Sequence, residues 1–139
     1  MTTEFIIKTP SGPVLKFGKK SNYEDIEGWG SYIVSLLNAP VTGTVEINDL
    51  APNRYAEYFE DLARVWKGWK GEKNIGSIEE DFTLTATSDS LGHISLRIEL
   101  RADRGGSDWI VAGTVVLEAG SLDQIAKSAK MFFDYKSMP

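Results

Sequence analysis

The sequence predicts an α+β fold, a mainly antiparallel β-sheet arranged as a sandwich or open barrel of about seven strands with two packed helices. Three observations point there. Phe82, Leu84 and Ala86 alternate with Thr83, Thr85 and Thr87, and Ile94, Leu96, Ile98 and Leu100 alternate with Ser95, Arg97 and Glu99. That is the period of strands with one buried face. Tyr55, Phe59, Leu62 and Trp66 instead recur at i, i+4, i+7 and i+11, the stripe of an amphipathic helix. Finally, strand runs and helical runs are grouped rather than alternating as βαβ units, which points to an antiparallel sheet.

Taken in order, Glu4–Lys8 and Val14–Phe17 form a hairpin about Pro10-Ser11-Gly12-Pro13. Ser21–Gly30 mixes three acids, Tyr23 and Trp29 with Ser, Asn and Gly and reads as a surface loop. Tyr32–Leu37 and Thr44–Ile47 follow as strands joined by Asn38–Gly43, although a short buried helix also suits Tyr32–Leu37. Pro52 or Asn53 starts the first helix, Trp66 completes its buried stripe, and Gly68 and Gly71 end it. The long hairpin Asp81–Arg101 turns at Asp89-Ser90-Leu91-Gly92. After a loop at Asp103–Asp108, Trp109–Leu117 is apolar on both faces and is expected to be a central strand. Ser121 and Gln124 have the spacing of a capping box opening a second helix, with Leu122, Ile125, Ala129 and Phe132 or Phe133 on its inner stripe. No sequence repeat, low-complexity tract or linker divides the chain, so residues 1–139 are expected to form a single domain.

Composition narrows the function classes. Hydrophobic residues are 42% and charged residues 25% of the 139, enough for a real core. No apolar run is long enough to span a bilayer and the first residues lack a signal-peptide pattern, so a cytoplasmic protein with no membrane partner is expected. There are no cysteines and one histidine, His93, which removes thiolate chemistry and Cys- or His-rich metal sites. Carboxylate-only Mg²⁺ or Ca²⁺ binding stays open, but no EF-hand spacing is present, and no cofactor or metal site is expected. The net charge of −5 argues against a nucleic-acid partner. Residues 21–62 hold eight acids against the single Arg54, which suits a cationic protein surface.

Few residues offer catalytic chemistry. His93 follows Ser88, Asp89 and Ser90, but no nucleophile elbow supports a Ser-His-Asp triad, and a histidine starting a strand on its polar face is usually solvent-facing. Adjacent acids such as Glu79-Glu80-Asp81 at a strand start point to opposite faces and do not form a catalytic pair. Trp66-Lys67-Gly68-Trp69-Lys70-Gly71 interleaves aromatics and cations as sugar- or strand-binding surfaces do. Its simpler use is structural, with Trp66 in the helix stripe and Trp69 folded under as a plug. No catalytic residue is assigned. The expected partner-binding residues are Tyr23, Glu24, Asp25, Glu27 and Trp29, which combine steering charge with anchoring rings, followed by Glu79, Glu80 and Asp81.

Several short motifs resemble a known family. They are Trp66-Lys67-Gly68-Trp69-Lys70-Gly71, Gly76-Ser77-Ile78-Glu79, Ala86-Thr87 with Asp89, and Gly92-His93-Ile94-Ser95-Leu96 with Leu100-Arg101. Leu117-Glu118-Ala119-Gly120-Ser121-Leu122 with Phe132-Phe133 completes the set. Together they are similar to bacterial domains related to the WapI-type immunity proteins of polymorphic toxin and contact-dependent inhibition systems. The likeness spans residues 29–133 and leaves the first hairpin outside. Ile75 stands where that family tends to place a third tryptophan. The resemblance implies an acidic antitoxin that binds the C-terminal domain of a cognate toxin, a basic nuclease-type toxin by charge, and needs no catalytic group. The rival reading is a small-ligand-binding module or minor enzyme with a pocket between sheet and helices.

Overall fold

The computed structural model describes residues 3–22, 29–38, 40–50, 53–104 and 107–133. The side-chain alternation organises two four-stranded antiparallel sheets. In the first, β1 (Glu4–Ile7), β2 (Val14–Asn22), β3 (Trp29–Asn38) and β4 (Val41–Leu50) lie in chain order. Helix α1 (Asn53–Arg64) follows. The second sheet repeats the plan with β5 (Lys73–Gly76), β6 (Phe82–Ser88), β7 (His93–Arg104) and β8 (Ser107–Glu118), also in chain order. A 3-10 turn at Ala119–Ser121 then leads into α2 (Leu122–Phe133). The element order thus occurs twice although the sequence does not repeat. The α+β fold agrees with the sequence, and the strand count among the described residues is eight rather than seven. The extra strand, β5, is only four residues long and has no apolar alternation of its own. It forms because Lys73–Gly76 pairs with Ala86–Thr83 of β6.

One continuous core joins both sheets and both helices. Phe5, Leu15, Phe17, Tyr32, Val34 and Ile47 enter it from the first sheet and Phe82, Leu84, Leu96, Ile98 and Leu100 from the second. Tyr55, Phe59 and Leu62 of α1 and Leu122, Ala129, Phe132 and Phe133 of α2 close it. Each large side chain removed from water contributes roughly 1.5–3 kcal/mol, so this shared core, not helix propensity, holds the elements together.

Four local expectations change. The strands of the first sheet run further than the apolar alternation indicates. Ser21 and Asn22 extend β2, and Trp29 and Gly30 begin β3. Trp66 lies beyond the last turn of α1 and is 52% exposed, so it is not a core residue. Trp69 is the ring that tucks against the core, after Gly68 reverses the chain at a φ of 122° that only glycine adopts easily. β8 is an edge strand, not a central one. Its inner face is apolar because Val115 and Leu117 are buried and Val111 packs against the core, while Ile110 and Val116 on the other face stay exposed. Lastly, the Ser121–Gln124 capping box is not formed. The Ser121 hydroxyl donates to the Glu118 carbonyl at 2.7 Å, and the Gln124 side-chain amide donates to Ser128 Oγ at 3.4 Å.

Where the halves meet, β8 crosses the end of the first sheet. A Cβ on Gly43 would stand 3.1 Å from Val111, and one on Gly113 would stand 3.3 Å from Leu36. On the opposite side, Asp61 of α1 pairs with Arg64 and, at 2.9 Å, with Lys73 of β5. The Tyr58 hydroxyl donates to the Lys73 carbonyl at 2.8 Å. Burial, with the Asp61 charge adding to it, pushes the Tyr58 phenol well above its usual value.

Candidate functional site

The acids at residues 79–81 do not begin a strand. They sit in the turn between β5 and β6, closed by the Glu80 N–H donating to the Ser77 carbonyl at 2.9 Å. Ser77 is buried and staples the turn from both sides. Its N–H donates to the Phe82 carbonyl at 2.9 Å, and the Phe82 N–H donates to its hydroxyl at 3.2 Å. Glu80 takes a φ of 61°, turning it away from its neighbours. Glu79 and Asp81 therefore open on the same side. There they line a notch of about 460 Å³ with Glu46 and Thr44 of β4 and Arg101 of β7. The Arg101 N–H donates to the Asp81 carbonyl at 2.8 Å, which locks the turn to the end of β7. Glu46 Oε1 accepts the Ser31 hydroxyl at 3.3 Å. The notch is thus built from three distant stretches of chain.

Of the expected partner-binding residues, the structure brings Glu79 and Asp81 together and leaves Glu80 outside the notch. Tyr23, Glu24, Asp25 and Glu27 lie outside the described residues. Trp29 opens β3 opposite Leu50. Sequence reading missed Glu46 and Arg101 as members of a site. Glu46 lies in no motif and Arg101 stands only in the Leu100-Arg101 motif, which says nothing of a site, because only the β4–β7 juxtaposition makes them neighbours of Glu79.

His93 has a more ordered setting than an isolated surface histidine. Asp89 Oδ1 accepts the Leu91 N–H at 2.8 Å and the His93 N–H at 2.9 Å, capping the turn before β7. Those two bonds, the His93 one first, hold the Asp89 carboxyl below the usual carboxylate range. Asp89 Oδ2 also lies 3.0 Å from His93 Nδ1, and Glu118 Oε1 lies 3.5 Å from Nε2. Both imidazole nitrogens thus face carboxylates. The Ser88 hydroxyl donates to the Asp89 carbonyl at 3.2 Å rather than to the ring, so a Ser-His-Asp relay is not assembled. Among the described residues, no cluster of three or more His, Asp or Glu side chains is placed to hold a metal ion. No helix among them is long and apolar enough to cross a membrane.

A larger groove, about 790 Å³, lies beside His93 where β1 and the turn after it face β8 and the start of α2. Ile6, Val116 and Ile125 give it apolar walls, and Thr114, Glu118 and Gln124 give it polar ones. On another face, Trp66 is exposed with Lys67 Nζ 5.7 Å from its ring centroid.

No curated protein matches the chain. A family profile does, over residues 6–136, a span that takes in most of the first hairpin left outside the resemblance to immunity proteins. The chain belongs to this family, the family of unknown function DUF6228.

Proposed function

We propose that the protein is a binding domain that neutralises a cognate toxin in the cytoplasm by direct contact and without catalysis. The observation that carries this reading is the notch between β4, the β5–β6 turn and β7, in which Glu46, Glu79 and Asp81 stand with Arg101. Carboxylates gathered from separate stretches suit a partner whose own working surface is basic, as the nucleic-acid site of a nuclease toxin must be. Such charge raises association rates by roughly 10–10³-fold without requiring a catalytic group.

The test uses the toxin domain that this reading expects to be encoded beside the gene. Co-expression with the intact chain should protect cells, and Glu46→Lys with Glu79→Lys should slow association about tenfold at low salt and far less at high salt. His93→Ala should protect as well as the wild type. A chain that neither binds nor protects against that toxin domain overturns the reading. Association that is indifferent to the double reversal removes the notch from the interface.

A further inference from the structure

Pairs in an antiparallel ladder alternate between those that exchange main-chain hydrogen bonds and those that do not. The Ala119 N–H donates to the Gly92 carbonyl at 2.9 Å, and the next pair along is His93 with Glu118. Stepping back along β8 from Ala119, Leu117 and Val115 therefore turn their N–H and C=O groups toward β7. Glu118, Val116 and Thr114 turn theirs the other way. β8 ends its sheet, so that direction leads to no further strand among the described residues. It leads into the 790 Å³ groove, which Thr114, Val116, Leu117 and Glu118 all line.

Neighbouring strand residues send their side chains to opposite faces. A groove lined by Val116, Leu117 and Glu118 in succession therefore takes in the edge of the strand as well as the outer face, where His93, Thr114, Val116 and Glu118 stand together. The far wall has the same character, for Ile6, Ile7 and Lys8 line it in succession and β1 ends the other sheet. One end of the ladder is closed where the Glu118 carbonyl accepts the Ser121 hydroxyl at 2.7 Å. Both main-chain groups of Thr114 and Val116 remain at the groove.

We infer that this groove takes an extended segment of a partner protein as an added strand on β8. The segment pairs its main chain with Thr114 and Val116 and lays apolar side chains toward Ile6, Val116 and Ile125. It places a lysine or arginine opposite Glu118, whose side chain is 75% exposed. This surface is separate from the acidic notch and stands whether or not the partner is a toxin.

The experiment selects peptides from a random dodecamer library on the purified full chain and measures the selected peptides in solution. N-methylation along the peptide should weaken binding about tenfold at alternate residues and little at those between, the signature of main-chain pairing. Val116→Pro should abolish binding while the chain stays folded, because the lost N–H serves no bond within the sheet. Val116→Thr keeps the main chain and should bind within about threefold of wild type. The methylation scan needs no variant, so it decides the matter even if Val116→Pro does not fold. Four results overturn the inference: no peptide recovered, a scan without alternation, binding unaffected by a folded Val116→Pro chain, or a wild-type dimer that Val116→Pro dissolves. The last would make a second copy of this chain the occupant.

Discussion

The two halves share an order of elements but fill the core differently. The first sheet sends in Phe5, Phe17 and Tyr32, and both helices add rings beside them, Tyr55 and Phe59 from α1 and Phe132 and Phe133 from α2. Apart from Phe82, the second sheet contributes aliphatic side chains and Ala86. Phe17 lies at the centre, with the rings of Phe5, Tyr55, Phe82, Phe132 and Phe133 between 5.2 and 6.4 Å away. Edge and face geometry makes such a cluster selective about shape, whereas an aliphatic face tolerates repacking. The difference teaches that packing specificity is concentrated in the first half and the helices. The second half supplies the acidic turn, the histidine and the open edge.

The largest test of that contrast is Phe17→Ala, expected to cost about 3–5 kcal/mol and to lower the melting temperature by about 10 °C or more. Leu96→Ala should cost less, toward the lower end of about 2–5 kcal/mol. Calorimetry giving the reverse order would break the comparison.

Gly43→Ala probes the seam, since its Cβ would press on three Val111 atoms at 3.1–3.2 Å. Overpacking there should cost about 1–3 kcal/mol, and adding Val111→Ala should recover part of it. Additive losses in denaturant melts would mean that β8 does not bear on β4.

The two tryptophans after α1 should separate sharply. Trp66→Ala removes an exposed ring and should stay within about 0.5 kcal/mol of wild type, while Trp69→Ala opens the core and should cost more than about 1 kcal/mol. Equal effects would contradict the placement of the two rings.

The smallest effect concerns the ionic link between the halves. The hydrogen bond from Lys73, with Arg64 adding to it, holds the Asp61 carboxyl below its ordinary 3.8. A depressed folded value stabilises above the unfolded value, and that contribution fades as pH falls from about 4 through the folded value. Asp61→Asn should therefore flatten the stability profile below about pH 4. With the carboxylate side chain 34% exposed, the difference near neutrality should not exceed about 1 kcal/mol. Identical acid-denaturation curves would show that the pair contributes nothing.

The sequence by itself determined the α+β class, the Asp81–Arg101 hairpin and the buried faces of both helices. Those follow from side-chain periodicity, which is a property of neighbours in the chain. It also marked Asp89–Gly92 as the turn that precedes His93, a segment short enough for the capping bonds from Asp89 to span it. Only tertiary structure decided which strands are edges. Trp109–Leu117 is apolar on two sides for unrelated reasons, one side packed and the other open, and periodicity cannot tell that from a strand covered on both. Trp66 kept the helical spacing after the helix had stopped at Arg64, and Gly68 then turns the chain so that Trp69, not Trp66, packs on the core. β5 exists only through its partner strand, and the notch only because β4 and β7 meet. Edges, seams and convergent charges depend on long-range pairing, whose sequence separations no local pattern encodes.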